Sequence, residues 1–515
     1  MQSAVYPDAA IVSSTGLQTT DRDTWVVDID DFGSARTGRE LLSPVGKAFE
    51  ALFWIAMLIV FPLMVAPSPM SSSFSQLEQE VLIPKAAVLA IAIAVGVIAI
   101  AAIHQLSFVG LLRLLWRVPV PIRITYVLAL ATVIAEALLS REFAITILGT
   151  PYRLDGALIQ GAWLLLPVIG FVLARGSRLP HFTIPVLFSI GVLLVGLWAA
   201  LQTIHVEPLN AFGLGIVTRG VPVASLGHRA LVSCLIGMGL MVPVGWLVLR
   251  GSRAAWLALP IAVLSAFLIA SEGRAGVVGV GAALALLTVV TIYRVPSNLK
   301  YVGLALIAIS VGVTITILAK DEGAMPLETL AAASQGNDGS FRARYAYYWP
   351  IAVDSIREKP LFGWGIEGFS RAFWSNSTPE QQEWIVRSHI SRLSYPEVHL
   401  TGTPIQLVKR SKYAPVELRF FTVDRAHNWY LDTAIAFGIP YLLLLLFALV
   451  AWAWAVFTSN SIVAVSLGLA ATVYLVFSVA WFATLQITPM FWLLFGASLG
   501  ATLRRPSTVG DRFVA

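Results

Sequence analysis

Apolar residues fill this chain in runs of about twenty, and polar residues collect in the gaps between them. A hydrocarbon layer roughly 30 Å thick asks for about 20 mostly apolar residues per crossing helix. The runs predict helices over Phe49–Ala66, Lys85–Leu106, Ile122–Leu139, Ala157–Ala174, Thr183–Leu201 and Ala230–Leu249. They continue over Ala254–Ala270, Ala275–Tyr293, Tyr301–Ala319, Trp429–Phe457, Ile462–Ala483 and Pro489–Leu503. The expected class is an all-α polytopic membrane protein with about 12 transmembrane helices.

The gaps set an orientation. Alternate connections hold Arg113, Arg117 and Arg123, then Arg175 and Arg178, then Arg250 and Arg253, then Arg294 with Lys300, and last Arg504 with Arg505. Short cation-rich loops stay in the cytoplasm, which puts both termini there. The expected layout is a disordered cytoplasmic tail over 1–47, nine helices over 48–319, a long periplasmic loop over 320–428, three helices over 429–503 and a cytoplasmic tail over 504–515. The loop between the ninth and tenth helices is too long for an ordinary connection, so it is expected to be partly helical and functional. Within it Phe341, Tyr345, Tyr348, Trp349, Ala352 and Ile356 recur at helical spacing, a stripe suited to the membrane interface, with Pro350 set to kink or divide the helix.

Composition narrows the function classes. Hydrophobic residues are 57% of the chain and charged residues 12%, too few charges to cover a water-soluble surface. The net charge of +6 does not imply nucleic acid, because the cations are dispersed among short loops. Cys234 is the only cysteine, so no internal disulfide can form. Soluble hydrolase signatures such as Gly-x-Ser-x-Gly and His-Glu-x-x-His are missing, and His389 and His399 lie too far apart for a local zinc motif.

The outer loops should be poor in cations, yet they hold Arg141, Arg153, Arg219, Arg229 and Arg274. Several guanidinium groups on that face point to an anionic ligand. Three segments carry the chemistry. Ala270-Ser-Glu-Gly-Arg-Ala-Gly276 opens the eighth helix, where the dipole, unpaired N–H groups and Arg274 all favour an anion. Ser340-Phe-Arg-Ala-Arg-Tyr345 places Arg342 and Arg344 beside the aromatic stripe, with Gly363 and Gly365 expected to form a fixed turn further on. Asp424-Arg-Ala-His-Asn-Trp-Tyr-Leu431 sets His427 at another outward helix N-terminus, where the positive end of the dipole favours a neutral, proton-accepting imidazole.

These segments resemble the O-antigen ligase and O-antigen polymerase superfamily of bacterial envelope proteins. The likeness rests on Ser-Glu-Gly-Arg274-Ala-Gly, on Arg344 before Trp349 with Pro-Leu-Phe-Gly-Trp-Gly365 following, and on Ala-His427-Asn-Trp-Tyr-Leu with Phe-Gly-Ile-Pro440 after it. Gly149-Thr-Pro-Tyr-Arg153-Leu-Asp-Gly156 and Gly227-His-Arg229 echo it more weakly. The resemblance implies a bacterial inner-membrane enzyme that transfers a glycan from an undecaprenyl-diphosphate carrier to a glycan, lipid or protein hydroxyl outside that membrane, with neither metal nor other cofactor. Carried over, His427, Arg274 and Arg344 are the catalytic residues, and Arg342, Arg153, Arg229 and Asn428 bind substrate. The chain departs from the family in having Glu272 in the small turn, and in placing Arg344 five and Arg342 seven residues before Trp349 where the family has four. Both loop arginines therefore stay candidates.

Two other readings compete. A polyprenyl-phosphate sugar transferase would resemble enzymes with adjacent acidic residues in the first outer loop, where this chain offers Glu78 and Glu80 around Gln79. A non-enzymatic transporter or flippase of lipid-linked glycans would place polar groups near the bilayer midplane and show matched halves. Here the polar groups concentrate toward the outer surface.

Overall fold

A computed structural model describes residues 36–66, 74–104, 112, 115–139, 143–149, 153–177, 179–180, 182–209, 221–319, 343–382, 405–411, 414–421, 423 and 425–504. Met1–Leu41 and Leu42–Ala515 form separate compact units, the first contributing only the opening of a helix to the described residues. The helices are α1 (Arg36–Ile55), α2 (Phe74–His104), α3 (Val120–Leu139), α4 (Phe143–Leu148), α5 (Ala157–Gly176) and α6 (Thr183–Thr203). After them come α7 (Arg229–Arg250), α8 (Ala258–Ala270), α9 (Arg274–Arg294) and α10 (Leu299–Ala319). The long connection carries α11 (Trp349–Glu358), α12 (Gly368–Asn376) and the strands β1 (Ile405–Ser411) and β2 (Ala414–Phe421). Four helices close the chain: α13 (Trp429–Phe437), α14 (Ile439–Phe457), α15 (Ile462–Phe477) and α16 (Thr488–Thr502).

Every predicted run contains a helix, and the protein is an integral membrane protein. Nine helical stretches among the described residues are long and apolar enough to cross a bilayer. One of them, Arg229–Ala270, joins α7 to α8 through the 3-10 segment Gly251–Leu257. α15 and α16 are shorter. The first helix starts at Arg36, earlier than the expected boundary after residue 47, and loosens into a π segment at Ala56–Val60 before Pro62. The tenth predicted helix is two helices, because Gly438 (φ 86°) takes a conformation open to glycine and Pro440 begins the next turn. The eleventh predicted run ends early, at Phe477. Ser478 turns its hydroxyl back onto Leu475 O (2.8 Å) and Thr488 Oγ1 accepts from Thr484 N (2.8 Å), so residues 478–487 leave the helix.

The core sits on α7, α15 and α16, each buried along most of its length. Without water to drive apolar association inside a bilayer, helices gain by close backbone approach at small residues. α5 and α16 do this: a Cβ on Gly496 would stand 2.0 Å from Pro167 O.

The long connection departs from expectation in two ways. It contains an antiparallel hairpin, with Ile405 opposite Phe421, beside its helices. Part of the aromatic stripe is also turned inward, while Tyr345 stays exposed. Tyr348, Ile351 and Ala352 are buried against Phe369, Phe373, Ala426 and Ile435, which gives the connection an apolar core of its own. Phe341 lies outside the described residues. Pro350 is the second residue of α11, which continues without a break from the π segment Arg344–Tyr348, so the proline falls where the helix passes from π to α. Gly363 and Gly365 (φ 69° and 86°) form the expected turn, which docks by backbone: Trp364 N donates to Ile435 O (2.6 Å) and Gly365 N to Ala436 O (3.0 Å).

Candidate functional site

Three helix N-termini and one turn build the site. His228 and Arg229 open α7, Gly273 and Arg274 open α9, and Asn428 caps α13. The turn after α15 supplies Trp481 and Phe482. Trp429 N donates to both Ser478 O (2.9 Å) and Trp481 O (2.8 Å), which fixes the His427 segment to that turn.

His427 stands on a left-handed backbone (φ 57°), rare outside glycine. Its ring stacks on Tyr348 (5.4 Å between centroids, 15° between planes) and meets Trp481 and Phe482 edge to face (5.8 and 5.0 Å). Nδ1 lies 3.2 Å from Arg425 O. A carbonyl can only accept, so Nδ1 carries the hydrogen and Nε2 the lone pair.

His228 has the complementary arrangement. Its Nδ1 accepts from Ala230 N (3.1 Å), capping α7, which leaves the hydrogen on Nε2. The ring lies 4.7 Å from Trp481. Burial, then the charges of Arg229, Arg344 and Arg153, push its pKa down to about 4, so it is neutral near pH 7.

Those three arginines form the electrostatic half of the site. Arg344 donates to Ala480 O (2.8 Å) and lies over Trp481 (5.1 Å), while Arg153 lies over Phe482 (4.4 Å). Such cation–π seating orients a guanidinium. Arg229 reaches Glu272 at 3.5 Å, with both partners well exposed, so the pair holds it weakly. Arg274 begins α9 immediately after the Glu272–Gly273 turn, and Glu272 is itself left-handed (φ 57°). The turn packs tightly on α7: a Cβ on Gly273 would stand 2.1 Å from Ser233 Oγ and 2.9 Å from Arg229 O. Arg229 and Arg274 therefore begin neighbouring helices.

Of the expected residues, His427, Arg344, Arg153 and Arg229 converge on His228, Trp481 and Phe482, and Arg274 joins at the Arg229 side. Asn428 Oδ1 accepts from Tyr430 N (3.0 Å) and Leu431 N (3.1 Å), so that oxygen serves as the helix cap. Arg342 lies outside the described residues. Sequence reasoning missed the functional placement of His228, which it met only inside Gly227-His-Arg229, and of Trp481 and Phe482, which an apolar run concealed.

It also missed a buried knot. Arg425 pairs with both Asp155 and Glu367, and all three side chains are nearly sealed from solvent. Burial first, then the nearby Asp155, push the Glu367 pKa up to about 8, with Arg425 pulling the other way. Burial thus favours the protonated form of Glu367, while Arg425 holds both carboxyls. The knot ties the Arg153 segment, the turn before α12 and the His427 segment together. A cavity of about 120 Å³ lies beside it, lined also by Asp432, Trp429 and Thr433.

Residues 236–446 match the model of the O-antigen ligase family, which shows the resemblance read from the motifs over that span. The matched span holds Arg274, Arg344, Arg425 and His427, whereas Arg153, His228, Arg229 and the Trp481–Phe482 turn lie outside it. No curated protein matches the chain.

Proposed function

Taking the match to the O-antigen ligase family as our premise, we propose that this protein transfers a glycan from an undecaprenyl-diphosphate carrier to an acceptor hydroxyl at the outer face of the bacterial inner membrane. The observation that carries this reading is the convergence of Arg153, Arg229 and Arg344 on two imidazoles that share Trp481. A family of this kind implies lipid-linked glycan substrates and membrane lipid around them.

The chemistry follows from charge. As the bond between the anomeric carbon and the carrier's phosphate oxygen breaks, the leaving diphosphate takes the electron pair. Guanidinium groups already seated on Trp481 and Phe482 meet that charge without reorganising. The neutral His228 presents an Nε2–H beside them, a donor rather than a further cation. The acceptor oxygen forms the new bond to the anomeric carbon, and its proton passes to Nε2 of His427. His427 is suited to this because Arg425 O holds its other nitrogen as the N–H tautomer. Direct displacement of this kind inverts the anomeric configuration.

Arg274, on the helix N-terminus beside Arg229, extends the same positive surface toward the diphosphate. The loop lies on the periplasmic side in this reading, and both termini are cytoplasmic. The test is the purified protein with a defined carrier-linked glycan and acceptor, its product followed by NMR. Inverted product that disappears in His427→Ala supports the proposal. Retained configuration, or full transfer by His427→Ala, overturns it.

A further inference from the structure

Below the 120 Å³ polar cavity a second cavity, about 380 Å³ and almost wholly apolar, continues along the same four helices. Ala129 of α3, Leu164 of α5, Leu445 of α14 and Trp492 of α16 line both. On every helix the lining then moves away from the loop end, to Phe171 on α5 and Leu499 on α16. The two spaces form one lengthwise groove. On α3 its lining runs from Val133, one turn from Glu136, against which Gly365 of the connection packs, to Arg123 near the other terminus. At 1.5 Å per residue Val133 and Arg123 are roughly 15 Å apart.

The remote end is cationic. Arg123 lines the groove with its guanidinium over Trp116 (4.4 Å), and its buried Nε has no hydrogen-bond partner. Arg117 lies within electrostatic reach of Arg175, and Arg504 donates to Ser177 O and Leu179 O at the end of α5. Among the described residues no carboxylate pairs with Arg117, Arg123 or Arg175. A guanidinium with no carboxylate partner at the mouth of an apolar groove is complementary to an anion attached to hydrocarbon.

We propose that this groove seats an acyl chain of one anionic phospholipid, drawn from the leaflet opposite the loop, with its phosphate on Arg123. The volume falls in the range of sites that enclose small ligands. The tail fills space that the four helices leave open, and the phosphate supplies the counter-charge that no carboxylate gives Arg123. The site is separate from the Arg153–Arg229–Arg344 cluster at the loop end, and the proposal does not depend on glycan transfer.

The full-length protein in mild detergent, examined by native mass spectrometry, tests this. It is offered dioleoyl phosphatidylglycerol and dioleoyl phosphatidylethanolamine at equal concentration, with and without polyprenyl phosphate. One retained phosphatidylglycerol, preferred about tenfold, is expected from a charge-assisted contact. Arg123→Gln should abolish the preference and Arg123→Lys should keep most of it. Ala448→Trp, which fills the apolar groove, should lower retention of both lipids, with thermal unfolding checking that each variant is folded. Equal retention of the two headgroups, an unchanged preference in Arg123→Gln, or undiminished lipid in Ala448→Trp overturns the proposal. So does displacement of phosphatidylglycerol by an equal amount of polyprenyl phosphate, because the groove would then belong to the carrier.

Discussion

Replacing Arg425 with Met should unfold or severely weaken this protein, whereas replacing Glu367 with Gln should barely affect its stability at pH 7. Arg425 neutralises Asp155 in a nearly sealed space, and Glu367 completes the group as a protonated acid. Removing the cation leaves a carboxylate buried without its counter-charge, which in comparable settings costs about 3–5 kcal/mol. The amide of Gln is nearly isosteric with the protonated acid, so Glu367→Gln should cost about 1 kcal/mol or less. Replacing all three residues with apolar groups of similar volume should recover much of the loss, since an entire buried ion cluster adds little net stability. Thermal unfolding in detergent, followed by tryptophan fluorescence, reads the ordering directly. An Arg425→Met protein as stable as wild type, or a Glu367→Gln protein as unstable as Arg425→Met, would refute the reasoning.

The same knot predicts a response to pH. A carboxyl whose folded pKa is raised holds its proton more tightly in the folded chain, so its stabilising contribution is complete below about 4.5 and is lost as pH rises toward 8. Wild-type unfolding temperature and transfer rate should both decline through pH 8, and Glu367→Gln should flatten that decline. His427→Ala should lower transfer by about 10²–10⁴-fold, the usual reach of a general base, with the protein still folded as judged by the same thermal assay. His228→Asn should keep the α7 cap and near-normal stability, whereas His228→Ala should lose about 0.5–2 kcal/mol, so comparing the two for transfer separates capping from catalysis. Gly496→Val should fail to accumulate in membranes, because even a Cβ would meet Pro167 O at 2.0 Å.

Periodicity and length were enough to place a helix in every apolar run, because a bilayer enforces both. Breaks inside the runs were harder to read. The end of α15 at Phe477 depends on the hydroxyls of Ser478 and Thr488 bonding locally to backbone, and such residues are also common within membrane helices. Trp481 and Phe482 were hidden for that reason: in sequence they look like lipid-facing residues, and only the turn makes them a seat for guanidinium groups. His427, Arg344 and Arg274 were legible because each stands near a helix start or an aromatic stripe that hydropathy could locate. The knot was not legible, since Asp155, Glu367 and Arg425 are far apart in sequence and no spacing rule joins them. Of the aromatic stripe, Tyr348 and Ala352 are buried in the connection's own core while Tyr345 stays exposed, because helical periodicity reports an apolar face without saying what covers it.

The double hydrogen bond from Trp429 N to Ser478 O and Trp481 O couples two parts of the molecule. It makes the His427 segment move with the membrane-embedded helices, and α12, packed on Ala426 and Ile435 through Phe369 and Phe373, moves with both.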